Sequence, residues 1–309
     1  NPGSQATIQP NNSNLALSAN LVNNGGTINY TANNNNTFDF TGAVISNLGN
    51  FNINGAGAAT AVNIQGGAIT NTSFGTITNN FTGGYTNLQT TIFTNDGNVV
   101  ENGAGFSISG TMVTTSAHAG DFTSNTLNGI SLGIATGGEF QYNGTLNGNG
   151  KFTFSNGLHH LVSPYAGGTI AVNSGAELSG SINLNYTNNT LENNGHISVP
   201  QLIMEGGASQ ELNGTGTIAS LVINNSNDVG LGGNQTVTQQ LVLTAGKLVT
   251  GPAKLILADA VSPTVAYGSW IIGNVEREFA TPGPKNYPVG DATRYAPVTL
   301  DPSFTVGGN

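Results

Sequence analysis

Apolar residues along this chain come as short pairs and triplets, and Gly- or Asn-rich clusters interrupt nearly every window of ten residues. The 3.6-residue period of an amphipathic helix therefore has no room to develop, and the pattern predicts an all-β protein. Gly26-Thr27-Ile28-Asn29-Tyr30, Asn50-Phe51-Asn52-Ile53, Lys151-Phe152-Thr153-Phe154 and Ser181-Ile182-Asn183-Leu184 alternate apolar with polar residues. Each reads as a short strand with one buried face.

These strands recur with a loose period. Taking Leu184, Leu202, Leu221 and Leu241 as equivalent gives a spacing of about 20 residues, the length of one coil of a β-solenoid. A corner pattern returns as well. Asn24-Gly25-Gly26-Thr27-Ile28, Asn95-Asp96-Gly97-Asn98-Val99 and Asn194-Gly195-His196-Ile197 each set an Asn/Gly turn just before a β-branched residue. Asn and Gly tolerate the left-handed conformation a sharp corner requires.

One such coil cannot bury its apolar face alone, but coils stacked about 4.8 Å apart bury a continuous column, and aligned Asn side chains can hydrogen-bond along the stack. The prediction is a right-handed parallel β-helix over residues 1–262, of about 13 coils at about 20 residues each. A β-sandwich array, with short strands and closely spaced turn signals, is the competing architecture, most open over residues 1–150. Residues 32–38, Ala-Asn-Asn-Asn-Asn-Thr-Phe, read as a loop.

Composition changes this picture at one place. Six of the eleven prolines (263, 282, 284, 288, 297 and 302) and three of the six basic residues (Arg277, Lys285 and Arg294) lie beyond Ser262. Proline removes a donor from a ladder, so residues 263–309 are expected to form a Pro-rich β cap or the start of a further β domain, a β-sandwich.

Charge then excludes partners. The chain of 309 residues is only 7% charged, with a net charge of −9, while Gly and Asn each number 45. Such a surface repels phosphate backbones, and six cations cannot replace many counterions, so nucleic acid is excluded. With no Cys, disulfides and thiolate metal sites are excluded too. No run approaches the roughly 18 apolar residues of a membrane helix, so no membrane insertion is expected. The opening NPGSQATIQP has no basic region followed by an apolar one, and strand-like sequence runs to the last residues. Both features suggest a mature portion or fragment of something longer.

Residues 268–300, GSWIIGNVEREFATPGPKNYPVGDATRYAPVTL, resemble a segment of large secreted and cell-surface proteins of Bacteroidetes, in which a Gly-Asn-Val-Glu-Arg-like strand precedes a Tyr/Phe-Pro-Val-Gly-Asp stretch. The matching positions are Tyr287-Pro288-Val289-Gly290-Asp291, then Arg294-Tyr295 and Pro297-Val298. Residues 220–258 look like the solenoid coils that precede this segment in such proteins. The resemblance implies export across both membranes, often by the type IX route, and an adhesive or structural role at the cell surface or in the matrix. The C-terminal sorting domain usual in that family does not appear before the chain stops.

Candidate chemistry is sparse. His159-His160, with Glu177 about one coil later, is the most conspicuous cluster; a metal site needs three or four converging ligands, and two imidazoles at a solvated corner are the simpler reading. His118 and His196 stand alone. Glu101, Asp121, Glu139, Glu177, Glu192, Glu205 and Glu211 are spread singly, and Lys151 is the one basic residue before Lys247, so no glycan-cleaving constellation emerges. Glu205 and Glu211 could share an acidic corner. The glycine-aspartate repeat of calcium-binding solenoids is absent. The expectation is a non-enzymatic chain without metal or cofactor, a stiff surface stalk or filament subunit, with a glycan-binding module on the solenoid as the first alternative and a carbohydrate-active lyase or hydrolase as the second.

Tyr30, Tyr85, Tyr142 and Tyr186 are candidates for stacking on glycans. Glu276-Arg277-Glu278 reads as outward charges guarding a strand edge. Within the recognised segment, Tyr287, Asp291, Arg294 and Tyr295 form a candidate interaction or junction surface; the simpler reading of Asp291 and Arg294 is a local ion pair that fixes a turn. Expected partners are further copies of the chain, other surface proteins and glycans.

Overall fold

The computed structural model describes residues 3–10, 14–32, 35, 37–55, 60–113, 121–125, 129–134, 139–142, 146–148, 150–162, 165 and 167–302. The fold is all-β, with parallel stacked strands forming a β-solenoid of about 11 turns. It is not a closed barrel, although its long strands bend from one face to the next and link the ladders. Among the described residues no helix is long and apolar enough to cross a membrane. The chain divides into two compact units, Asn1–Ala171 with Gly175–Glu177, and Val172–Ser174 with Leu178–Asn309.

In the first unit a seven-stranded parallel sheet stacks Gln5–Ile8, Thr27–Ala32, Asn50–Gly55, Thr76–Asn79, Asn98–Glu101, Asp121–Ser124 and Leu146–Gly148 in chain order. Each strand pairs in register with the one from the coil before. The described part of residues 1–150 is therefore solenoid, not sandwich. The coil count is corrected as well, because these early coils carry longer corners than the later ones on which the period rests.

The other faces come from strands such as Thr37–Asn47 and Ala61–Asn71. In Thr37–Asn47 the buried positions are Phe38 and Phe40, then Ala43, Ile45 and Asn47, so the inward parity flips at Thr41-Gly42. A strand can change the face it buries only by turning a corner, and Gly42 turns it at φ 82°. Ala32, Thr37 and Phe38 belong to strands, not to the loop expected over 32–38.

Stacking aligns like with like. Ile28, Phe51, Ile77, Val99, Phe122 and Leu146 form one inward column, and Phe38, Ile64, Leu88, Ile108, Leu132 and Phe154 form another. Each of these side chains is buried. Burying one contributes roughly 1.5–3 kcal/mol, which no isolated coil could collect.

The second unit repeats the scheme with coils that are mostly shorter. Leu184, Leu202, Leu221 and Leu241 are paired in register, as their spacing predicts. The strand proposed at Ser181–Leu184 begins only at Leu184 and runs to Tyr186. Parallel pairing continues past Pro263: Thr264–Val265 joins Val242–Leu243, Ile271–Arg277 joins the strand Leu248–Leu257, and Val289–Gly290 joins Ile271–Ile272. Only Lys285–Tyr287 and Val298–Leu300 pair antiparallel among the named strands.

Candidate functional site

The buried polar groups of the first unit are organised along the stack. Asn23 donates from Nδ2 to Asn47 Oδ1 at 2.8 Å, Asn47 to Asn71 at 2.9 Å, and Asn71 to Asn95 at 2.8 Å, always from one coil to the next. The same Nδ2 atoms also reach the carbonyls of Asn50, Thr76 and Asn98. The Nδ2 of Asn95, at the end of this run, is buried without a partner. Parallel to it, Asn79 donates to Glu101 at 2.6 Å, and Glu101 accepts from the Gly105 amide.

The corner glycines serve this stack by close approach. A Cβ on Gly49 would lie 2.2 Å from the Gly26 carbonyl oxygen, and one on Gly97 2.2 Å from that of Gly75. Among the described residues Asp228 is the one non-glycine in the left-handed region, so the corner Asn residues are there for hydrogen bonding and not for backbone freedom.

The histidine pair is not a solvated corner. His159 is fully buried between Tyr142 and Phe154. Tyr142 Oη lies 2.6 Å from Nδ1, and the Asn156 carbonyl 2.9 Å from Nε2. This arrangement suits a neutral ring that donates from Nε2 and accepts the phenol proton at Nδ1. Burial lowers its pKa to about 4 against the opposing Asn156 hydrogen bond, and burial also raises that of Tyr142. Among the described residues no three His, Asp or Glu side chains gather as a metal site; His118 lies outside them. Glu205 accepts from Asn185 at 2.6 Å and Glu211 from Asn213 at 3.4 Å, each engaged by a separate amide.

Three of the four stacking candidates are core. Tyr30, Tyr142 and Tyr186 are buried, and of the four only Tyr85 is exposed. Arg277 is buried as well, donating to the carbonyls of Val261 and Asn286. Arg277 is therefore not one of three outward charges; on its strand Glu276 and Arg277 pair with Ile256 and Leu257 on one side, while the pairing with Val289–Gly290 on the other reaches only Ile271–Ile272. Glu276 does point outward, 2.9 Å from Lys254. Nearby, Lys285 lies 2.8 Å from Asp259 and, with Thr281, holds that carboxyl well below the usual carboxylate range.

Among the described residues the tail holds an open cleft beside Trp270. This cleft of about 490 Å³ is lined by Val265, Tyr267, Trp270, Thr293, Arg294 and Tyr295, among others. Tyr267 is fully exposed and Tyr295 is 42% exposed. Tyr295 stacks on Trp270 at 6.1 Å between centroids, and Lys247 Nζ lies 4.7 Å from the Trp270 ring. The indole N–H donates to the Asp291 carbonyl at 2.8 Å.

Asp291 and Arg294 attract each other through charge, but hydrogen bonds to the carboxylate and not a direct salt bridge fix the turn. Asp291 Oδ1 accepts from the amides of Thr293 and Arg294, both at 2.7 Å, and from the Thr293 hydroxyl at 2.9 Å. These bonds fix the turn and hold the Asp291 carboxyl below its ordinary value. Arg294 and Tyr295 thus share a cleft that Asp291 shapes from behind, while Tyr287 lines a second one of about 440 Å³ with Val275, Val289, Val298 and Leu300. The sequence reading missed Tyr267 and Trp270. Tyr267 stands in an Ala-Tyr-Gly turn, where a large aromatic has no inward face to fill.

Comparison with protein families, curated proteins and solved structures finds no match to the chain.

Proposed function

We propose that the chain is a structural and adhesive protein of the cell surface or extracellular space, serving as a stalk or as the subunit of a filament. The observation that carries this reading is the Asn23–Asn47–Asn71–Asn95 ladder. Buried amides that bond from coil to coil add directional cross-links to the apolar columns, which suits a module built to resist deformation. Export of the type IX kind and kinship with Bacteroidetes surface proteins belong to the same proposal, and its support is the segment from Gly268 to Leu300. Its partners are further copies of the chain, other surface proteins and glycans.

Negative-stain electron microscopy of the protein recovered from its native source tests the reading. Filaments or slender isolated particles are the expected result. Compact particles found only in the cytoplasmic fraction would overturn it.

A further inference from the structure

We propose that the cleft formed by Tyr267, Trp270, Arg294 and Tyr295 binds an acidic saccharide, with a hexuronate ring stacked on tyrosine and its carboxylate held by Arg294. This deepens the adhesive reading and rests on it.

The volume of about 490 Å³ suits one or two sugar rings. The fold has no packing use for the Tyr267 ring, which is wholly in solvent, yet it stands at the same cleft as the half-exposed Tyr295. Aromatic side chains that are apolar on their faces and polar at their tips suit a ring whose faces are C–H and whose rim is hydroxyl.

The wall is also preorganised. Tyr295 is backed by Trp270, Trp270 is pinned by its hydrogen bond to the Asp291 carbonyl, and Lys247 lies over the indole. Gly290, bridged to Tyr295, admits no side chain, since a Cβ there would meet the Arg294 carbonyl at 2.3 Å. Binding to a wall already in place loses little entropy.

Charge selects the acidic sugar. The chain holds 15 acidic and 6 basic residues, and two of those six, Lys247 and Arg294, stand around Trp270. The neighbouring carboxylate, Asp291, takes three hydrogen bonds from its own turn on Oδ1, and Arg294 attracts it only through charge, as the last and smallest cause of its lowered pKa. The Arg294 side chain is exposed and makes no hydrogen bond among the described residues, which leaves its planar fork available to a carboxylate.

Trp270 is the chain's single tryptophan, so its fluorescence reports the cleft directly. The full chain is titrated with hexagalacturonate and, separately, with neutral cellohexaose. The expected result is a saturable change with hexagalacturonate only, weakened at least tenfold by Arg294→Gln and abolished by Tyr267→Ala. The Tyr267 ring is wholly in solvent, so its loss cannot be mistaken for unfolding. No saturable change, an equal response to cellohexaose, or indifference to Arg294→Gln would overturn the proposal. Electron microscopy is blind to the cleft, so the scaffold reading and the saccharide site can each fail without the other.

Discussion

Asn47 donates from Nδ2 to the Oδ1 of Asn71 at 2.9 Å, from one coil to the next, with both side chains closed off from water. Removing one member of such a chain leaves its neighbours desolvated and unpaired, and that loss outweighs the net value of the bonds themselves. Asn71→Ala is expected to cost about 3 kcal/mol, since Asn47 loses an acceptor and Asn95 a donor. Asn102→Ala, in an exposed run between Asn80 and Asn125, should cost under about 1 kcal/mol because water replaces the lost partner. Urea unfolding followed by far-ultraviolet circular dichroism compares the two; equal losses would remove burial as the source of the ladder's strength.

Tyr30 presents the opposite case. Its ring is stacked on Phe38 at 5.2 Å, but its hydroxyl is buried without a partner, and burial raises its pKa to about 12. Tyr30→Phe keeps the ring and deletes the orphaned group, so the variant should be more stable by about 1 kcal/mol. A lower unfolding midpoint would show that the hydroxyl has a bond partner in solution.

How much of this was legible in the sequence depends on the regularity of the corners. Leu184, Leu202, Leu221 and Leu241 align by eye because their coils are nearly equal in length. In the first unit the step from Phe51 to Ile77 is longer than the step from Ile77 to Val99, so corner length hides the same columns. The misread tyrosines were recoverable: Tyr30 has the inward parity of Ile28 and Ala32, and a two-residue period forces all three to one face. Arg277 likewise shares the parity of Val275. The Trp270 cleft was not recoverable, because Trp270 and Tyr295 are distant in the chain and meet through the pairing of Ile271 with Val289 and of Gly290 with Tyr295.

The corner glycines separate two costs that are usually mixed. Gly25 has φ 80° and open space around its missing Cβ, so Gly25→Ala strains the backbone alone and should cost about 1 kcal/mol. Gly97 has no such φ, but its Cβ would lie 2.2 Å from the Gly75 carbonyl and 2.3 Å from that of Thr72. Gly97→Ala must therefore push adjacent coils apart, at a cost of about 2 kcal/mol or more. Amide hydrogen exchange distinguishes them: Gly97→Ala should speed exchange of Asp96 and Asn98, which bond to the coil before, while Gly25→Ala leaves those amides protected. Protection of both in Gly97→Ala would mean that the coils absorb the extra carbon.

His159 makes the stability of the fold depend on mildly acidic pH. Its folded pKa of about 4 lies below the ordinary 6.5, chiefly because burial disfavours the cation. Between these values the unfolded chain binds a proton that the folded chain refuses, so protons favour unfolding and stability falls as pH drops from 6.5 toward 4. The full displacement is worth roughly 3 kcal/mol. Asp39 and Asp291, both held below the ordinary carboxylate value, add their own losses only as pH falls past about 3.8 and so lie outside this window. Unfolding midpoints at about pH 7, 5.5 and 4.5 should decline steadily in the natural chain and much less in His159→Phe. Because that variant strands the Tyr142 hydroxyl, the double variant with Tyr142→Phe is the cleaner comparison. A decline of the same size in the double variant would place the acid sensitivity elsewhere than in this imidazole.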